Sequence, residues 1–163
     1  MENEMHEPIK TAEQEQQERQ PLVTVRAILC EIAEPATVVE LDPSYGALKS
    51  ALETEAIMFR YAEDLRGISP NLAIVIDEDA QIKDLNPSRP ILDRKSKTAD
   101  VIWGKCYIVY FEEPECGGAI VDIPDDMINQ IMELDQWRLP GFMMHNSIVN
   151  RPGLSWITAA RVY

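Results

Sequence analysis

The residues best suited to chemistry lie between positions 86 and 107. Arg89 stands between Pro87 and Pro90, which fix φ and lack an amide donor, so they hold a loop open at little entropic cost. A guanidinium in that setting suits bidentate recognition of phosphate or carboxylate. The predicted ligand-binding set combines one amide, four cations and two aromatic rings for stacking: Asn86, Arg89, Arg94, Lys95, Lys97, Trp103 and Tyr107. The alternative is a solvated loop whose charges offset nearby acids.

Charge is distributed unevenly along the chain. The formal net charge is −13, and the acids are concentrated in residues 31–79 and 111–136. Residues 80–110 reverse the sign, and residues 137–163 contain arginines and no acid. A strongly acidic surface repels nucleic acid. A local basic segment on such a protein is where an anion would dock.

Motifs that carry catalysis are missing from the sequence. It has no glycine-rich phosphate loop, dinucleotide fingerprint, paired histidines at metal spacing or Cys-x-x-Cys. Outside the amino-terminal tail only His145 could serve as a general base, and its neighbour Ser147 is too close in sequence to favour a working pair. The turn Asp77-Glu78-Asp79 does not match a calcium loop, because Ile82 stands where the glycine is required. We therefore predict no enzyme activity, with no catalytic residue, no metal and no cofactor; a nucleotide hydrolase is the weaker alternative.

Hydrophobic patterning predicts an α+β fold with a mostly antiparallel sheet of about five to seven strands and two helices. Leu72 to Ile76 is apolar on both faces, which predicts a strand covered on both sides. The acidic residues that follow are predicted to form an exposed turn that leads into a short return strand. The proline segment that follows is predicted to be a loop, and residues 92–100 show no strong pattern. One helix is predicted to open at Asp42-Pro43-Ser44, with Asp42 as the capping residue and Pro43 in the first turn, and a second at Pro124-Asp125-Asp126. The remaining predicted strands are 22–30, 37–41, 57–61, 105–111, 119–123 and 156–163.

The chain divides into three predicted parts. Residues 1–20 are rich in Glu and Gln and predict a disordered acidic tail. Residues 21–136 predict one α+β domain. Residues 137–163 form an apolar extension that either completes the core, as an added strand, or builds an oligomer interface.

Composition indicates a cytoplasmic protein. No apolar run approaches the roughly 20 residues that cross a bilayer. Cys30 and Cys106 lie in apolar strand-like runs and are predicted to be reduced core residues. Three cysteines without short spacing argue against a disulfide framework or a zinc site. A reducing cytosol is therefore expected.

The arrangement resembles a family of small proteins of unknown function from bacteriophages, plasmids and integrative elements. The resemblance covers about residues 22–136. It rests on five segments: Tyr45 to Leu52, Ile74 to Glu78, Asn86 to Pro90, Gly104 to Val109 and Ile123 to Asp126. It implies a mobile-element accessory protein and carries over no chemistry.

Two functions follow as hypotheses. The first is a non-enzymatic counter-defence protein that captures an anionic nucleotide-like signal, or a host defence protein, through the basic segment. The second is an acidic mimic of DNA that inhibits a nucleic-acid-binding protein. Neither hypothesis expects direct nucleic-acid binding or membrane association, and homo-oligomerisation is compatible with both.

Overall fold

The sheet is built by strands whose apolar residues alternate between two faces. The computed structural model describes residues 23–93, 98–113 and 117–140. In these residues the order across the main sheet is β2-β1-β7-β4-β3, with β8 beside β7, and each pairing is antiparallel. The α+β class is therefore confirmed. The six strands are β1 (Val25–Cys30), β2 (Thr37–Leu41), β3 (Ile57–Arg60), β4 (Leu72–Asp77), β7 (Cys106–Phe111) and β8 (Ile120–Val121).

A separate hairpin and four short helices complete the described part of the chain. The hairpin consists of β5 (Pro87–Asp93) and β6 (Thr98–Trp103), which pair antiparallel. The helices are α1 (Tyr45–Ala51), α2 (Glu63–Ile68), α3 (Asp125–Met132) and α4 (Asp135–Arg138). Helix α1 begins close to its predicted start, but the cap is Ser44 rather than the expected Asp42. The Ser44 hydroxyl accepts a hydrogen bond from the Ala47 amide, and the Asp42 carboxylate accepts from the Ser44 amide at 2.9 Å.

The core lies on both faces of the sheet. Strand β4 is buried along its whole length, as its unbroken apolar run predicts. Leu72, Ile74 and Ile76 join one cluster, with buried residues of α2, α3, α4 and the hairpin. Ala73 and Val75 join a second cluster on the opposite face, which α1 covers. The alternation follows from the period-2 geometry of a strand.

Several local predictions are wrong. Residues 78–84 form turns rather than a return strand, and the strands that flank β4 are β3 and β7. The predicted proline loop is strand β5, and part of the patternless region 92–100 belongs to the same hairpin. Two helices were expected and four are present in the described residues. The two additional helices, α2 and α4, are six and four residues long, too short to give helical periodicity.

The domain continues past the predicted boundary at residue 136. Trp137 on α4 is fully buried and packs in the first core cluster. The Ala36 amide also donates a 2.7 Å hydrogen bond to the Arg138 carbonyl. These four residues of α4 therefore complete the core. The predicted tail at 1–20, and the predicted strand and interface within 141–163, lie outside the described residues.

Candidate functional site

Arg89 was predicted to project into solvent, and this prediction is wrong. Its residue exposure is 1%. Strand β5 carries a register irregularity at Ser88, between the pairs Pro87–Trp103 and Arg89–Ile102. Such a bulge adds a residue to one strand and re-aims the side chains next to it. The Ser88 hydroxyl fixes the bulge by donating to the Gly104 carbonyl at 2.6 Å. The two prolines are tolerated because β5 belongs to a two-stranded hairpin rather than to a sheet interior.

Backbone carbonyls accept most of the hydrogen bonds that the guanidinium of Arg89 can donate. Nε donates to Trp137 at 2.7 Å, and Nη1 donates to Glu31 and to Ser88, each at 2.8 Å. Nη2 donates to Glu34 at 3.1 Å. We call Arg89 and these four carbonyls the arginine clamp. Four of the five donors of the guanidinium are thus used inside the protein, so this side chain cannot contact an anion in solvent in this conformation.

The arginine clamp joins three parts of the chain that are distant in sequence. It ties the loop after β1, through Glu31 and Glu34, to strand β5 and to α4. None of the ion pairs among the described residues includes Arg89. Burying a cation costs desolvation free energy that hydrogen bonds must offset. Four bonds to carbonyls do so here, so the principal role of Arg89 in this structure is architectural.

Three other predicted ligand-binding residues lie in the described part of the chain, and they differ in exposure and position. Asn86 is exposed, and its carbonyl accepts from the Gly104 amide at 2.8 Å. Trp103 is half-buried. Tyr107 is 7% exposed and lies in the second core cluster, whereas the arginine clamp contacts Trp137 of the first. Burial, and then the charge of Glu31, raises the pKa of Tyr107.

Tyr107 and the arginine clamp are therefore on opposite faces of the sheet. Successive side chains of β7 point to opposite faces, so Tyr107 projects away from the face that holds its neighbour Cys106. The remaining predicted cations, Arg94, Lys95 and Lys97, lie outside the described residues.

Two thiols that the sequence indicated only as core residues lie beside the arginine clamp. Cys30 ends β1, Cys106 begins β7, and the two are direct partners in the antiparallel register. Both are free and fully buried, which confirms their predicted position in the core. We call them the dithiol pair. The Cys30 Sγ lies 3.9 Å from the Trp137 carbonyl oxygen that also accepts from Arg89.

The environment separates the acidities of the two thiols. Hydrogen bonding from Cys106 lowers the pKa of Cys30, and the positive charge of Arg89 lowers it further against the opposing effect of burial. The same contact with Cys30, together with burial, raises the pKa of Cys106. The pairing could not be found from the sequence, because strand register decides it.

The acidic turn after β4 is not simply solvated. Asp77 is 2% exposed, and its carboxylate accepts from the Lys83 ammonium and the Thr54 hydroxyl, both at 2.7 Å, and from the Asp79 amide at 2.8 Å. Burial raises the pKa of Asp77, but the hydrogen bonds from Lys83 and Thr54 outweigh it, so that the pKa lies below its ordinary value. These hydrogen bonds hold the turn at 78–84 in place, so we assign Asp77 a structural role.

The described basic side chains are largely engaged within the fold. Four ion pairs join a base to a nearby acid: Arg26–Asp125, Arg60–Asp100, Lys83–Asp77 and Arg138–Asp135. Lys49 and Arg66 lie over the rings of Tyr45 and Tyr61, at 5.3 and 5.4 Å from the ring centroids. Positive charge is thereby held close to the domain's own acids and rings.

Carboxylates collect at one end of the sheet. Glu40 pairs in register with Arg26, whose amide donates to Asp122 at 2.7 Å and whose guanidinium contacts Asp125. The same end includes the residues that follow β7 and the first turn of α3. We define the acidic end by its exposed members: Glu40, Glu112, Glu113, Asp122, Asp125 and Asp126. The patterning of the sequence gave these acids no common location, because strand order brings them together.

Other sites considered from the sequence receive no support. Within the described residues no group of three or more His, Cys, Asp or Glu side chains is arranged to hold a metal ion. His145 and Ser147 lie outside those residues. None of the described helices is both long and apolar enough to cross a membrane.

Comparison of the chain with protein-family models, with curated proteins and with solved structures found no match.

Proposed function

We propose that this chain is a non-enzymatic accessory protein of a mobile element that binds a host defence protein at a basic, nucleic-acid-binding surface. The observation that carries the proposal is the charge arrangement of the folded domain. Basic side chains are engaged in internal pairs, while exposed carboxylates gather at the acidic end. Electrostatic complementarity of this kind sets partner choice and association rate.

The mobile-element context comes from the resemblance of residues 22–136 to phage and plasmid proteins. The acidic end supports the protein-binding form of the counter-defence hypothesis over capture of a small anion. The burial of Arg89 removes the central residue of the small-anion form. That form now depends on Arg94, Lys95 and Lys97, which lie outside the described residues.

The geometry also suits competition with nucleic acid. Neighbouring strands lie about 4.8 Å apart, and Glu40 on β2 and Asp122 beside β8 flank Arg26 on β1 from both sides. Strand β1 lies between these two carboxylates, and its Arg26 pairs with Asp125, so the exposed acids form a row spaced about two strand separations apart, comparable with the charges of a DNA backbone. We therefore infer that the partner's DNA-binding surface is the surface occupied.

The test is displacement of fluorescent duplex DNA from a panel of purified restriction endonucleases and defence nucleases. The full chain should displace DNA from at least one of them, with an affinity that falls as salt rises. The variant Glu112→Gln, Glu113→Gln, Asp126→Asn should bind about 3- to 160-fold more weakly, because each exposed pair contributes about 0.2 to 1 kcal/mol.

A matched control changes the same amount of charge elsewhere. Glu34, Glu55 and Glu78 are exposed and lie towards the opposite end of the sheet, so their replacement by Gln should leave displacement nearly unchanged. Equal losses in the two triple variants would mean that net charge alone governs binding. The proposal would be rejected if the chain displaced DNA from none of the enzymes in the panel.

A further inference from the structure

The dithiol pair has the geometry of a modifiable site, independent of the proposed partner. Cys30 and Cys106 face each other directly across β1 and β7, and both side chains enter the same core cluster. Directly opposite residues in antiparallel strands have Cα atoms about 4.5 to 5.5 Å apart. A disulfide spans Cα separations of about 4.4 to 6.8 Å. The backbone can therefore accept a bond between the two sulfurs without changing register.

A fixed cation lies next to this pair. The Arg89 guanidinium donates to the Trp137 carbonyl, which is also within 3.9 Å of the Cys30 sulfur. The ion pairs found among the described residues give Arg89 no carboxylate partner. An adjacent guanidinium favours the thiolate, which is the nucleophilic form of cysteine.

We propose that Cys30 and Cys106 form a peroxide-oxidisable dithiol in which Cys30 is the attacking sulfur and Cys106 the resolving one. The Cys30 thiolate attacks one oxygen of hydrogen peroxide, and the O–O bond breaks to release hydroxide, which takes a proton to become water. The Cys106 sulfur then attacks the sulfenic acid of Cys30. An S–S bond forms, the S–O bond breaks, and the second water leaves with the Cys106 proton. Two electrons pass from the sulfurs to the peroxide.

The acidities of the two thiols agree with these roles. The pKa of Cys30 is lowered by its contact with Cys106 and by Arg89, whereas the pKa of Cys106 is raised. Both thiols are fully buried, so the proposal requires local opening. Cys30 is the last residue of β1, and α4 is a single turn of four residues whose Trp137 must leave the first core cluster for the pair to be uncovered. Local opening of one short element costs less free energy than unfolding of the whole domain.

The experiment treats the full chain with hydrogen peroxide under native conditions, then maps disulfides by mass spectrometry after alkylation. The expected product is a Cys30–Cys106 disulfide, with a mass lower by two hydrogens and reversed by a dithiol reductant. The Cys116→Ser variant should lose both remaining thiols together. A product that pairs either residue with Cys116, or native protein that keeps both thiols while urea-unfolded protein is oxidised, would overturn the proposal.

Two single-thiol variants separate the roles of the sulfurs. Cys106→Ser in the Cys116→Ser background keeps a hydroxyl donor beside Cys30, and Cys30→Ser leaves only Cys106. Sulfenic acid trapped by a dimedone reagent should form faster on Cys30 than on Cys106, since the thiolate is the reactive form and the pKa of Cys30 is lowered whereas that of Cys106 is raised. Faster trapping on Cys106 would mean that Cys106 is the attacking sulfur, and the proposal would be rejected. The mapping on the unmodified chain decides the proposal if either variant fails to fold.

Discussion

Replacement of Arg89 by Met tests whether this residue holds the domain together. Methionine fills much of the space of the arginine stem but leaves the carbonyls of Glu31, Glu34 and Trp137 without their buried donor. Each hydrogen bond to a charged group contributes about 1.5 to 3 kcal/mol. The four bonds do not add fully, because loss of the cation also removes its desolvation penalty. We expect the free energy of unfolding to fall by about 3 to 5 kcal/mol.

The assay is urea unfolding followed by tryptophan fluorescence, since Trp137 is buried in the first core cluster and touches the arginine clamp. Arg89→Lys should lower the free energy of unfolding by roughly half as much as Arg89→Met, because the lysine ammonium has three donors and cannot reproduce the planar guanidinium fork. Arg66 provides the matched control. It is exposed and lies 5.4 Å from the centroid of the Tyr61 ring, so Arg66→Met should cost about 1 kcal/mol or less.

The outcome distinguishes a structural arginine from a ligand-binding one. If Arg89→Met and Arg66→Met destabilise the domain equally, within about 0.5 kcal/mol, the clamp contributes nothing and the burial argument fails. Arg89 would then have to be considered again as an exposed anion-binding group.

Two further predictions concern the carboxylates of Asp77, which is buried, and Asp64, which is half-buried. Asp77→Asn should destabilise the domain by about 2 to 4 kcal/mol at neutral pH, because it leaves Lys83 facing an amide. The pKa of Asp77 is below its ordinary value of 3.8, so its contribution is fully present above that pH and is lost as pH falls through the folded-state pKa. Urea titrations should therefore show the difference between wild type and variant shrinking below pH 3.8; a difference that grows in acid would contradict the sign. Asp64 Oδ2 accepts from the Trp137 indole and the Gln136 amide, each at 2.9 Å, so Asp64→Asn should cost about 1 to 3 kcal/mol in the same assay. An unchanged unfolding midpoint would show that this carboxylate does not hold α4.

Much of the sheet could be predicted from the sequence because its signals are local. The unbroken run Leu72 to Ile76 and the alternation in residues 105–111 specify strands through side-chain type alone. The capping hydroxyl of Ser44 and the acids that open α3 mark helix starts in the same way. Helices α2 and α4 escaped prediction because a helix of one or two turns is stabilised by tertiary contacts rather than by its own pattern.

The exposed position predicted for Arg89 was wrong for a different reason. Two prolines around an arginine are compatible with an open loop and with a bulged edge hairpin, and the flanking sequence does not choose between them. The choice is made by long-range partners: the carbonyls of Glu31, Glu34 and Trp137 are 58, 55 and 48 residues from Arg89. The same reasoning applies to Cys30 and Cys106, whose proximity depends on the register of β1 with β7.

The arginine clamp and the dithiol pair share one acceptor, and this couples structure to reactivity. The Trp137 carbonyl accepts from Arg89 Nε and lies 3.9 Å from the Cys30 sulfur, so a movement of α4 that uncovers the thiol also breaks a bond of the clamp. Such opening must overcome the interactions that Arg89 and Asp64 make with α4. A substitution that weakens α4 without touching either sulfur, such as Asp64→Asn, therefore raises the population of the open form. Because oxidant reaches Cys30 only in that form, peroxide reactivity should report the local stability of α4 rather than the global stability of the domain.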